Sequence, residues 1–226
     1  MNKTFSNISK AELGKELNWH FEQDRILQGE YNATDDEVGF KGCMMGCAAN
    51  SIMRAKGDTV GYADHISQAE YILGNESCEW FIRLYESIFE GLDTEDSKKW
   101  VIDCFAAIPE GVESSKINEL EVPIKVWILE KTKEYHKDEN VLKATDLVIA
   151  ALLSGDKDKL IKAADAADAD ANAGAAAHAA HAAAAHAARA AYTAGAAAHA
   201  ARAAAADAYG FYKELAVFVI DLLKDI

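Results

Sequence analysis

Apolar positions along this chain recur at three- and four-residue spacing, and no segment shows a sustained alternation of apolar and polar residues. Between Glu76 and Glu90, Trp80, Leu84 and Ile88 fall on one stripe with Phe81 beside it, which predicts a helix. Ser9 and Glu12 form an S-x-x-E capping box. It predicts a helix over about 10–28, with Gly29 as its stop. A polar, glycine-containing loop through Asn32, Asp35, Asp36 and Gly39 follows. Further helices are predicted over about 44–56 and from Gly61 or Ala63 to Leu73. Another covers about 95–107, capped by Thr94 or Asp93 and stopped by Pro109. Pro123 suits the first turn of a helix over about 123–136, with Ile124, Trp127 and Ile128 as its apolar face. A helix over about 140–153 ends at Gly155. A last one over about 211–226 follows Gly210 and carries Leu215, Phe218, Val219 and Leu222. The pattern predicts an all-α fold of about eight or nine helices in a single domain, 1–226. Its parts are a motif-bearing stretch, 1–158, and an alanine-rich stretch, 159–226.

The alanine-rich stretch changes the picture. From Ala163 to Ala208, 31 of 46 residues are alanine. Alanine has the highest intrinsic helix propensity, so long helices are expected. One unbroken helix there would run roughly 69 Å, against a radius of gyration near ~17 Å for a compact chain of this length. A break is therefore predicted, best placed at Asp170–Gly174, with Gly195 second. The octapeptide AGAAAHAA occurs at 173–180 and again at 194–201. On a helical wheel His178, Arg189, Tyr192 and Asp207 lie within about 60° of one another, flanked by His181, His186 and His199. The opposite face is alanine, whose small side chains let helices approach closely. The stripe reads either as a solvated face or as a pocket wall where His and Arg donors meet an anion. His178 and His181 alone lack the further ligands of a zinc signature, so no metal and no cofactor is expected.

The formal net charge is -14. No long basic run exists, which argues against general nucleic-acid or anionic-membrane binding and leaves room for a local basic pocket. The first residues lack the apolar core of a signal peptide, and the alanine tract is too weakly apolar and too interrupted for a membrane span. A cytoplasmic location is expected, with Cys43, Cys47, Cys78 and Cys104 as free thiols.

Candidate chemistry is sparse. Cys43 and Cys47, in GCMMGC, are one helical turn apart, unlike the C-x-x-C of redox or zinc motifs. Buried thiols or a lowered-pKa thiol near a helix start both fit. His20 and Asp24 share a helix face at i, i+4, as a structural pair or as ligand contacts. Glu86 and Glu90 share another, as exposed acids or as an acid/base pair. No P-loop, G-x-S-x-G or Rossmann pattern is present.

Several blocks carry a resemblance. HFEQDRILQGEY at 20–31 fits H-x-x-x-D-x-I-x-Q-G-x-Y. It is followed by FKGCMMGC, RLYESIFEGL and WVIDCFAAIPEG, then by the Arg- and His-studded alanine tract. This order resembles a family of uncharacterised phage and bacterial proteins with GCxxGC and IFEGL motifs. The alanine-rich part is also similar to immunity proteins. His65 matches a family histidine downstream of GCxxGC, whereas LGNE at 73–76 departs from a Leu-Gly-Ile-Pro segment. By analogy with compact phage accessory proteins, the resemblance implies an anti-defence role in the host cytoplasm, sequestering a nucleotide-derived signal.

The expected function is non-enzymatic binding of a small anionic, nucleotide-like ligand. The expected contacts are His20, Asp24, Gln28, Tyr31, Cys43, Cys47, His65, Glu86, His178, Arg189 and Tyr192, with no catalytic residue assigned. A hydrolase using His20, Asp24 and Glu86 or Glu90 is the alternative, and a protein–protein inhibitor or immunity protein is the third. No nucleic acid or membrane partner is expected, and homo-oligomerisation stays open.

Overall fold

A computed structural model describes residues 2–23, 25–26, 28, 33–35, 39–56, 64–135, 137, 139–156, 158–159, 162 and 208–226. Among the described residues the regular elements are helices apart from one small hairpin, as the spacing of apolar positions predicts. The helices are α1 (Lys10–Glu22), α2 (Met44–Lys56), α3 (His65–Leu73), α4 (Glu79–Gly91), α5 (Thr94–Ala107), α6 (Ser114–Glu119), α7 (Glu121–Tyr135), α8 (Glu139–Ser154) and α9 (Ala208–Lys224). A 3-10 turn, Glu76–Cys78, precedes α4. The chain divides into two compact units, one of residues 1–118 with 212–226, the other of residues 119–211. The boundary predicted at 158/159 lies inside the second unit. The predicted break near Gly174 and the polar stripe of the alanine tract lie outside the described residues.

In the first unit, Ser9 caps α1 by accepting from the Glu12 amide at 3.3 Å. Leu13, Leu17 and His20 form the buried stripe of α1. The helix stops six residues short of the predicted end. The Arg25 amide turns back to the His20 carbonyl at 2.9 Å, and the Gly42 amide takes the Arg25 carbonyl at 3.0 Å. Ile26, 1% exposed, pairs alongside Gly42 in an isolated parallel bridge. The chain leaves the helix because extended pairing buries Ile26 (a long-range gain that local periodicity does not encode). The predicted polar loop instead holds a hairpin, β1 (Ala33–Asp35) antiparallel to β2 (Gly39–Lys41), with Thr34 opposite Phe40.

α2 is buried almost continuously from Met44 to Ala49, and again at Ser51 and Ile52. Asp64 caps α3 through the Ser67 amide at 2.7 Å, and Asp93 caps α5 through the Asp96 amide at 2.8 Å. α5 ends at Ile108, held extended by the following Pro109. Residues 2–5 thread between the end of α3 and the loop after α5. The Thr4 amide bonds the Val112 carbonyl and the Phe5 amide bonds the Ile72 carbonyl, each at 2.8 Å. Gly74 turns with φ 74°, where a side chain would also strike the Lys3 backbone. The six-residue α6 is too short to show a period, yet Ser114 anchors it by donating to the Leu73 carbonyl at 2.5 Å.

The stripe predicted on α4 is buried in full, and it is tied to α5 by hydrogen bonds. Tyr85 donates to the Val101 carbonyl, and Trp100 Nε1 donates to the Tyr85 carbonyl at 3.0 Å. Gly91, from IFEGL, ends α4 against the Tyr212 ring, and a Cβ there would sit well inside 3.0 Å of that ring. α9 begins at Ala208, so Gly210 lies inside a helix predicted to start after it. In the second unit, Leu129 of α7 packs with Val148, Ile149, Ala151 and Leu152 of α8. Gly155, φ 65°, ends α8 as predicted.

Candidate functional site

The site grows from the corner between α1 and α2. Trp19 and His20 close the last turn of α1, and Asn50, Ser51 and Arg54 lie along α2. His20 is fully buried, and its Nε2 donates to Asn50 Oδ1 at 3.2 Å. Burial pushes its pKa down to about 4. The Asn50 hydrogen bond opposes that shift, and the cations Arg25 and Arg54 add to it. The ring is therefore neutral at physiological pH. Edge-on to it, at 5.0 Å between ring centroids, lies the Trp19 indole.

Two guanidiniums lie over that indole. Arg25 stands 4.0 Å and Arg54 4.5 Å from the ring centroid, both within cation–π range. Only three arginines precede the alanine tract, Arg25, Arg54 and Arg83, so two of the three converge on one side chain in a chain of net charge -14. Arg54 Nε also donates to Glu16 Oε2 at 2.5 Å. Its side chain stays 50% exposed, so the cluster opens to solvent, while Arg25 is largely buried. The Ser51 hydroxyl is buried with no hydrogen-bond partner among the described residues. It lies next to Asn50 and three residues before Arg54. Together these groups place two guanidiniums on one indole, with a spare hydroxyl nearby.

Several other predicted residues lie in the same compact unit, in contacts of their own. Cys47, fully buried, faces the carbonyls of Gly42 at 3.3 Å and Arg25 at 3.6 Å. Burial pushes its thiol up to about 12. Cys43 precedes α2 with its sulfur near the Met45 and Gly46 amides. Burial, and then Glu86 and Glu90, outweigh those amides and raise its pKa. Of the two readings for this pair, buried thiols fit and a lowered-pKa thiol does not. Gln28 Nε2 donates to the carbonyls of Phe89 and Leu92, each at 2.8 Å, and so caps the end of α4. His65 Nε2 and Glu86 Oε2 are 2.8 Å apart, which joins two residues the sequence placed in the site separately.

Asp24, Tyr31, His178, Arg189 and Tyr192 lie outside the described residues. Among the described residues no group of three or more His, Cys, Asp or Glu side chains is placed to hold a metal ion. Nor is any helix long and apolar enough to cross a membrane. All four cysteines are free and buried. A separate groove of about 310 Å³ runs between α1 and α5, bordered by Gly14, Leu17 and Phe105, and none of the candidate residues lines it.

Sequence reasoning missed Trp19, Arg25, Arg54, Asn50 and Ser51. Arg25 sits inside HFEQDRILQGEY at a position the pattern leaves variable. The usable signal was the rarity of arginine in an acidic chain, with one beside the Trp–His pair. Fold and site together define an all-α protein with an arginine–indole cluster on its first compact unit. No family model, no curated protein and no solved structure matches the chain.

Proposed function

We propose that this chain binds a small anionic, nucleotide-like ligand without transforming it, at the corner of α1 and α2. The observation that carries the reading is the pair of guanidiniums over the Trp19 ring. The indole gathers both guanidiniums at one place, and arginine matches phosphate geometry with paired donors. The -14 net charge repels anions from most of the surface, so a local cationic cluster is the place where one would settle. His20 at about 4 is a weak base, and Cys47 at about 12 is a weak nucleophile, which favours capture over turnover. An anti-defence role, capture of a signalling nucleotide in a host cytoplasm, is the biological setting we attach to this reading.

Its test is a thermal-shift screen against purine and pyrimidine nucleotides, followed by mass spectrometry of the recovered ligand. The expected result is stabilisation by at least one nucleotide, recovered intact, and loss of that shift in Arg54→Ala and Arg25→Ala. A chemically altered ligand would move the reading to an enzyme. Stabilisation by none of them would overturn it.

A further inference from the structure

Glu16 stands one turn before Trp19 and His20 on α1, and its carboxylate already holds the guanidinium of Arg54. The carboxylate is 19% exposed and Arg54 is 50% exposed, so the pair sits at the mouth of the cluster. An anionic ligand that reaches Arg54 meets a built-in anion on the same guanidinium. We infer that Glu16 is an internal competitor of the ligand, occupying Arg54 until a phosphate takes its place and setting the affinity in proportion to ligand charge. The inference rests on the reading of the Arg25–Trp19–Arg54 cluster as an anion site.

The charge argument is direct. Removing Glu16 takes one negative charge away from the guanidinium of Arg54. Coulomb energy scales with the product of charges, so removing Glu16 strengthens binding of a dianion by about the square of the factor gained by a monoanion. A phosphate monoester near neutral pH approaches a dianion, whereas a phosphodiester is a monoanion. Glu16 therefore penalises terminal phosphates more than cyclic or internal ones. With Glu16 in place, the advantage that a terminal phosphate draws from its second charge is narrowed, which leaves nucleotide phosphodiesters as competitive ligands.

The experiment is calorimetric titration of the full chain with AMP and with cyclic AMP, using wild type, Glu16→Gln and Glu16→Ala. The alanine variant is included because glutamine keeps an acceptor for Arg54 Nε. An ion pair with one half-exposed partner contributes modestly to stability, so both variants should fold, which circular dichroism checks. The expected result is a gain of about 3-fold for cyclic AMP and about 10-fold for AMP on removal of the carboxylate. Equal or weaker AMP binding in both Glu16 variants, with wild type binding and Arg54→Ala not, would overturn the competitor role and leave the anion site standing. If neither nucleotide binds wild type or either Glu16 variant, the anion site falls and the inference with it.

Discussion

Replacing Gly91 by alanine probes the packing that joins the IFEGL block to the last helix. Gly91 is the final residue of α4 and has an ordinary helical backbone, so alanine is allowed there by conformation. The obstacle is the Tyr212 ring. A new Cβ would sit well inside 3.0 Å of three ring atoms, among them Cγ, next to the main chain. Tyr212 is 2% exposed and has little room to withdraw. Overpacking of this kind costs about 1–3 kcal/mol. The higher helix propensity of alanine returns up to about 1 kcal/mol, less at a terminal position. A net loss of about 1–2 kcal/mol is expected, or roughly 3–6 °C in Tm for a chain of this length. The assay is urea and thermal unfolding followed by far-ultraviolet circular dichroism, run also in a Tyr212→Leu background. There the ring is gone and Gly91→Ala should be neutral or stabilising. An equal cost in both backgrounds, or no cost in wild type, would refute the packing argument.

Other expectations follow from the same contacts. Asp93→Ala removes the cap of α5 and should lower stability by about 1 kcal/mol in urea titration. Gln28→Leu strips two hydrogen bonds from the α4 terminus, and a loss of about 1–3 kcal/mol is expected in the same assay. His20 has a depressed pKa when folded, so the unfolded chain binds more protons between pH 6.5 and about 4. Stability should therefore fall as pH drops through that window, by up to about 3 kcal/mol, and His20→Gln should flatten the profile. Cys47, held protonated, should resist iodoacetamide at pH 8 in the native protein and react fully in denaturant, as peptide mapping would show.

The helices were largely legible because their signals are local. The stripe of α4 and the aspartate cap of α5 need only neighbours in sequence to be read. The end of α1 and the start of α9 were not, and at α1 the cause is remote. α1 stops because Gly42 takes the Arg25 carbonyl, and α9 runs back through Gly210. α6 carries too few residues for a period to show. The site follows the same division. His20, Cys47, Gln28, His65 and Glu86 were singled out from motifs, and the structure gives several of them internal partners. Gln28 spends its amide on α4 and Cys47 faces two backbone carbonyls. The cluster that carries charge depends on Arg54 crossing to Trp19, 35 positions away, which no spacing rule predicts. Arg25 lies within HFEQDRILQGEY at a position whose spacing assigns it no role.

The central claim is that Trp19, Arg25 and Arg54 form an anion-binding site. Calorimetric titration with cyclic AMP and AMP, comparing wild type with Arg25→Ala and Arg54→Ala, tests it most directly. The account predicts measurable binding of at least one nucleotide by wild type, weakened about 10- to 100-fold when either guanidinium is removed from a chain that still folds. Binding that is absent in wild type, or unchanged in both arginine variants, would contradict it.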